Sequence, residues 1–146
     1  VKRFYGILEK QFKFYFKKAS KAKGITGETL LQILERRLDN VVYRLGLATS
    51  RAQGRQIVSH GFVLVNGKKV NVPSYQVAVG DTIAFNPKKA ATKYVQQREV
   101  ALRQYKPQEW LSLEAKTLTG KILSKPTADS TGSLLQMDLI IEHYSR

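Results

Sequence analysis

The sequence predicts an α+β fold: helices at either end of the chain, and between them two short helices followed by a small antiparallel sheet. Three observations carry this. Apolar residues recur at helical spacing up to about residue 60 and then switch to extended, β-branched runs. Asn66-Gly67 sits between two such runs, and this dipeptide suits the positive φ angles that a tight hairpin turn requires. Helical patterning then returns at residues 88–104.

In chain order, Phe4, Leu8, Phe12, Tyr15 and Phe16 form a helical stripe. The same stretch, residues 1–23, holds Lys2, Arg3, Lys10, Lys13, Lys17, Lys18, Lys21 and Lys23 against one acid, Glu9. The stripe reads as core-facing. Eight cations on one short helix repel each other unless something anionic lies beside them. Gly24 and Gly27 break this helix, and Thr26 or Thr29 caps the next. Leu30, Leu34, Leu38, Val41 or Val42, and Leu45 continue at helical spacing, and Gly46 ends the run. Ser50 and Gln53 form a capping box for a second helix through Ile57 and Val58, ended by Gly61. Phe62 to Val65 and Lys68 to Val72 read as a hairpin about Asn66-Gly67, stopped by Pro73. Gln76–Val79 and Thr82–Phe85 read as two further strands around Gly80-Asp81. Lys88–Gln104 reads as a helix, and Trp110–Leu113 and Gly120–Leu123 as short strands or extended segments. Residues 124–132 are a Ser/Thr/Pro-rich loop, and the apolar tail at 133–144 is a buried helix or a strand, with helix favoured. No internal repeat is visible.

The charge balance narrows the function. Among 146 residues, 25 Lys+Arg oppose 11 Asp+Glu, a net charge of +14 at pH 7. So large an excess points to a polyanionic partner, nucleic acid or an anionic membrane surface, because clustered cations release the counterions of phosphates. The hydrophobic share of 42% supplies a core and argues against wholesale disorder. The absence of cysteine excludes disulfides, thiol chemistry and Cys-type zinc sites. No apolar run approaches the roughly 18 residues of a membrane span, and no signal peptide pattern is present.

The cations of the middle unit are grouped. Arg36, Arg37 and Arg44 lie on the first helix, Arg51 and Arg55 share a face of the second, and Lys68 and Lys69 leave the hairpin turn. Asp39 is the only acid between Arg36 and Lys69. Gln56, His60, Asn66 and Ser74 add neutral groups that can bond phosphates, sugar hydroxyls or base edges. A two-helix corner backed by a hairpin presents a rigid basic surface suited to A-form RNA, which is read through phosphates and 2′-hydroxyls. Helix-turn-helix recognition of DNA is disfavoured, since the second helix is short, carries Gly54 and runs at once into the hairpin.

Catalysis finds no support. His60 and His143 stand far apart in sequence; Glu28, Glu35, Asp39 and Asp81 form no recognisable pair, and Glu35 with Asp39 reads as an i, i+4 helix-surface set. Thr119-Gly120-Lys121 is an isolated fragment of a phosphate loop.

Several runs carry a family resemblance: Arg37-Leu38-Asp39-Asn40-Val41-Val42-Tyr43-Arg44-Leu45-Gly46, Thr49-Ser50-Arg51, Gln56-Ile57-Val58-Ser59-His60-Gly61, Val65-Asn66-Gly67 and Val70-Asn71-Val72-Pro73-Ser74-Tyr75. Together they resemble the helix-turn-helix-hairpin RNA-binding module of bacterial small ribosomal subunit protein four. Similar modules occur in some tRNA synthetases, pseudouridine synthases and a heat-shock protein. The flanks Tyr5-Gly6-Ile7-Leu8-Glu9-Lys10-Gln11-Phe12 and Ile141-Glu142-His143-Tyr144-Ser145-Arg146 resemble the ribosomal family in particular. Full-length members carry a further N-terminal segment, which the resemblance implies this chain lacks.

The resemblance implies a helical domain built from residues 1–35 and 86–146, with the RNA-binding module at 36–85 inserted between them. It implies a structural component of the small ribosomal subunit, not an enzyme, that binds ribosomal RNA at a junction in the 5′ domain, nucleates assembly and contributes to translational accuracy. The implied partners are that RNA, the neighbouring small-subunit protein five and, in some members, messenger RNA; no membrane, cofactor or metal is called for. The implied place is the ribosome, cytoplasmic or organellar. Carried over by position, the RNA contacts are Arg3, Tyr5, Lys10, Gln11, Lys13, Arg36, Arg37, Arg44, Arg51, Arg55, Gln56, His60, Lys68, Lys69 and Tyr75. Asn40 and Ser50 have structural alternatives, a backbone bond and a helix cap. Two other readings compete: a free RNA-binding regulator or stress factor, and a peripheral membrane binder using the basic aromatic helix.

Overall fold

The stripe from Leu30 to Leu45, expected as one helix, folds as two: α1 (Thr26–Glu35) and α2 (Leu38–Arg44). The computed structural model describes Gln11 and residues 26–127; the basic aromatic helix, apart from Gln11, and the apolar tail lie outside the described residues. The break falls at Arg37, whose backbone is extended at φ −61°, ψ 137°. Residues 73–77 cause it by crossing beside the chain here. Leu38 N donates to Tyr75 O at 2.8 Å, Asp39 N to Pro73 O at 3.1 Å, and Val77 N to Arg36 O at 3.0 Å. The first N–H groups of α2, which have no partner inside the helix, are thus met by a loop instead of a capping side chain. This also corrects the expected strand at Gln76–Val79: Gln76 makes one isolated antiparallel bridge, to Arg37.

Both ends of the helical corner close as the sequence predicts. At Gly46 (φ +81°), Gly46 N donates to Tyr43 O at 2.9 Å and Leu47 N to Val42 O at 3.0 Å, a Schellman closure. The helix α3 (Arg51–Ser59) starts with Ser50 Oγ accepting from Gln53 N at 3.0 Å. The capping box is half formed, because the Gln53 side chain accepts from Thr49 N at 2.6 Å rather than from the N-cap backbone. Gly61 ends α3 with the same double bond pattern, from Gly61 N to Val58 O and Phe62 N to Ile57 O. Inside α3, Gly54 has a packing purpose: a Cβ there would lie 2.5 Å from the Asp39 carbonyl oxygen of α2. The two helices touch backbone to backbone.

Among the described residues one five-stranded antiparallel sheet forms, in the order β2-β1-β3-β5-β4. Its strands are β1 (Val63–Val65), β2 (Lys68–Lys69), β3 (Thr82–Phe85), β4 (Leu111–Glu114) and β5 (Thr119–Ile122). Asn66 at φ 52° and Gly67 at φ 81° have the paired positive angles of a type I′ turn. β2 is shorter than the expected run to Val72. Ile83 pairs with Val65 on one side and Gly120 on the other, so the sheet runs across the expected boundary at 85/86. The expected helix at Lys88–Gln104 divides into a 3-10 turn (Pro87–Lys89), α4 (Lys93–Ala101) and a second 3-10 turn (Leu102–Gln104). Separate caps divide it: the Asn86 side chain accepts from Lys88 N and Thr92 from Val95 N.

The core lies between the helical corner and the sheet. Leu38, Val41, Val42, Leu45, Ile57 and Val58 pack with Val63, Val65, Ile83, Trp110 and Ile122. Of α4 only Val95 is buried, and the helix is held by polar bonds to the α2–α3 turn. Arg98 donates twice to Gly46 O (3.0 and 2.7 Å) and Tyr94 Oη once to Leu47 O; beyond the helix, Tyr105 Oη donates to Arg44 O at 2.7 Å. A guanidinium at the carbonyl end of α2 also complements the negative pole of that helix.

Candidate nucleic-acid interface

The arginines of the helical corner divide into those turned inward and those left at the surface. Glu35 and Asp39, read from sequence as a helix-surface pair, are 0% and 2% exposed. The break between α1 and α2 accounts for this, since it removes the i, i+4 relation and turns both carboxylates into the corner. Arg37 forks onto Asp39, Nε to Oδ1 at 3.1 Å and Nη2 to Oδ2 at 2.9 Å. Arg44 forks onto Glu35 at 3.0 and 3.4 Å. Arg51 places Nη2 at 4.0 Å from Glu35 Oε2, donates from Nε to Asn40 Oδ1 at 2.8 Å and lies 4.7 Å above the Tyr43 ring. Asn40 in turn donates to Glu35 O at 2.7 Å. Buried carboxylates hold such guanidiniums in fixed positions and offset the cost of removing them from water. These three arginines join α1, α2 and α3.

Two further expected contacts have bonds within the chain. Arg37 Nη1 donates to Gln11 Oε1 at 3.0 Å, and Arg36 Nε donates to Val77 O at 2.7 Å. Arg55 is half-buried on α3, and Gln56 and His60 are exposed one turn apart on that helix and its C-cap. Tyr75 is exposed where residues 73–77 cross α2. Arg3, Tyr5, Lys10 and Lys13 lie outside the described residues.

Outward-facing cations do gather elsewhere. His60, Gly61, Leu64, Gly67, Lys69, Asn86, Pro87, Lys88 and Lys89 line one open cleft between the end of α3, the hairpin and the segment after β3, and among the described residues no carboxylate lines it. Lys68 stands beside it, exposed on β2. Local chemistry builds this cleft. Gly61 lets α3 end sharply, so His60 meets the hairpin, and the Lys69 stem passes 3.3 Å from where a Gly61 Cβ would be. Asn86 donates to Gly61 O at 3.0 Å and accepts from Lys88 N at 3.1 Å, which draws Lys88 and Lys89 toward the end of α3. Lys89 Nζ rests 5.1 Å above the Phe62 ring. Sequence reasoning missed Lys88 and Lys89 by assigning them to a helix of another domain. The signal was Asn86-Pro87 ahead of them, a cap and a helix-starting proline that mark a separate short turn.

A concave surface that carries ammonium and imidazole groups from three segments, and no carboxylate among the described residues, has the chemistry to take up phosphate oxygens, and Gln56 and His60 extend it along α3 with groups able to bond sugar hydroxyls. Among the described residues no cluster of His, Asp or Glu could hold a metal ion, and no helix is long and apolar enough to cross a membrane.

Comparison with known proteins gives concordant matches. Residues 36–83 match the model of the S4 domain, and residues 1–35 match that of the ribosomal protein S4/S9 N-terminal domain. The chain is 49% identical over 146 residues to small ribosomal subunit protein uS4A of Symbiobacterium thermophilum. It is 51% identical over 146 residues to small ribosomal subunit protein uS4 of Halothermothrix orenii and 51% over 147 residues to that of Ruminiclostridium cellulolyticum. Each alignment covers 100% of this chain and 70% of the relative.

Proposed function

The chain belongs to the small ribosomal subunit protein uS4 family, a family of structural RNA-binding components and not of enzymes, and from that premise we propose that it grips ribosomal RNA through the cleft of His60, Lys69, Lys88 and Lys89. One observation carries this reading: the His60 imidazole at the end of α3, Lys69 of the hairpin, and Lys88 and Lys89 of the 3-10 turn meet in one cleft that no carboxylate lines among the described residues. Arg55, Gln56 and Lys68 extend the same contact, and Arg36 and Tyr75 add to it from the 73–77 crossing. Arg37, Arg44 and Arg51 serve mainly to hold the corner that presents it.

The finer expectations rest on family membership. The RNA is the 5′-domain junction of the small subunit. Binding there nucleates assembly. Small-subunit protein five is the neighbour through which accuracy is affected, and messenger RNA is a further partner. The segments at 1–35 and 86–146 form one domain around the module at 36–85, joined to it by the shared sheet.

The test is the salt dependence of binding to a 5′-domain transcript. Changing Lys69, Lys88 and Lys89 together to Ala should lower affinity and reduce the slope of log affinity against log salt by about 2 to 3, near 0.7–0.9 per lost phosphate contact. An unaltered slope in the folded variant would remove the cleft from the interface. Retention on small subunits through a high-salt wash would separate this role from that of a free RNA-binding regulator.

A further inference from the structure

The hairpin tip, at the edge of the proposed RNA cleft, carries an Asn-Gly pair with a chemistry of its own. Asn66 and Gly67 are both exposed, and a Cβ built on Gly67 would meet nothing within 4 Å. An asparagine followed by glycine is the sequence most open to attack on its carboxamide by the next backbone nitrogen, because glycine places no side chain over that nitrogen. In this fold the carboxamide is restrained at both ends. Asn66 Nδ2 donates to Asp81 Oδ1 at 2.9 Å, and Asn66 Oδ1 accepts from Thr82 N at 2.9 Å. The backbone adds a third tie, from Asn66 N to Thr82 O at 2.8 Å, and Asp81 is itself fixed by Ala78 N at 2.8 Å on Oδ2.

We propose that Asn66 is a deamidation site guarded by Asp81 and Thr82, silent while the hairpin is closed on β3 and reactive when it opens. In the reaction the Gly67 amide nitrogen bonds to Asn66 Cγ, its proton passes through water to Nδ2, the Cγ–Nδ2 bond breaks, and ammonia leaves a five-membered succinimide. Water then adds to one of the two ring carbonyls and the bond from that carbon to Gly67 N breaks, leaving aspartate after attack at Cγ or isoaspartate after attack at the backbone carbonyl; nothing is oxidised or reduced. Cyclisation requires the carboxamide to rotate toward Gly67 N, so its bonds to Asp81 and Thr82 must open first. The product is poorly tolerated. An aspartate puts a second carboxylate where Nδ2 met Asp81, and an isoaspartate lengthens the backbone of a two-residue turn. Either one places a negative charge next to Lys68 and Lys69, so deamidation turns the tip of the hairpin against a polyanion.

The experiment follows the mass gain and isoaspartate content of the peptide containing residue 66 in the full chain, incubated native and in denaturant. The native chain should react at least roughly tenfold more slowly, as gating by local opening requires. Asp81→Ala, checked for folding by circular dichroism, should raise the native rate toward the denatured one. Equal rates in native and denatured wild type would overturn the guard, and an unreactive Asn66 in the denatured chain would overturn the site. The wild-type comparison stands whether or not the variant folds.

Discussion

Asp39 sits two residues from Arg37 and was visible beside it in the sequence, whereas Glu35 meets Arg44 and Arg51 only after the chain has turned twice. Nearness along the chain decides what sequence can show of these residues. The cap at Ser50 and the turn at Asn66-Gly67 depend on neighbours within three positions, and the structure has both. The direction of each arginine depends on carboxylates brought in by tertiary packing, so counting acids along the segment suggested unneutralised cations. Glu35→Ala would leave the Arg44 guanidinium in a closed corner without its carboxylate, and the expected loss is about 3–5 kcal/mol in denaturant unfolding. A loss below roughly 1 kcal/mol would mean that water reaches Arg44 freely. Lys69→Ala, by contrast, should leave stability within about 0.5 kcal/mol of wild type, as for an exposed side chain away from the core. Gly67→Val should cost roughly 1 kcal/mol or more, because a β-branched residue resists the φ of 81° found there; unchanged thermal stability would argue against the turn.

The helices were legible through their apolar spacing, and their interruption was not. Nothing local to Arg36-Arg37 signals a break, because the partners that satisfy α2 arrive from residues 73–77. Gly54 shows the same limit. In the sequence it weakens a helix, and in the structure it allows α2 and α3 to approach. Gly54→Ala should therefore cost about 1–3 kcal/mol by overpacking, against the gain in helix propensity that the same change brings at an open helical site; a stabilised variant would contradict the close approach. The attachment of α4 makes a pH prediction. Burial raises the hydroxyl pKa of Tyr94 above the ordinary tyrosine value of 10.0, and Arg98 partly opposes this. Burial raises Tyr105 too, with Tyr43 adding to the shift and Arg44 and Arg98 opposing it. Folding thus favours the protonated hydroxyls. Their contribution is fully present below the ordinary value and is lost as pH rises through the raised values. Stability should fall in that alkaline range, and Tyr94→Phe should flatten the fall; an equally steep profile for the variant would show that other groups set it.

For the molecule as a whole, the net charge of +14 pointed to a polyanion, nucleic acid or an anionic membrane surface, without saying where on the molecule its cations gather. Lys88 and Lys89 join the cleft because Asn86 reaches back to Gly61, a contact across 25 positions that no local pattern announces. The same long reach ties the two halves of the described chain, since β3 pairs with β1 on one side and with β5 on the other. Trp110, 1% exposed, packs into the common core from the later segment. Trp110→Ala should cost about 3–5 kcal/mol and lower one shared unfolding transition of the helical corner and the sheet. Two separated transitions would show that the segments after residue 86 fold apart from the corner.

Among the described residues the sheet ends at β2, a strand of two residues that are both exposed lysines. An outermost strand offers unused backbone donors and acceptors to any extended peptide that drifts alongside, the usual opening for self-association. Here a second copy finds only two residues to pair with and a pair of positive charges that repel its own. Such a border disfavours the stacking of one free chain on another, and the charges that oppose it belong to the proposed phosphate contact.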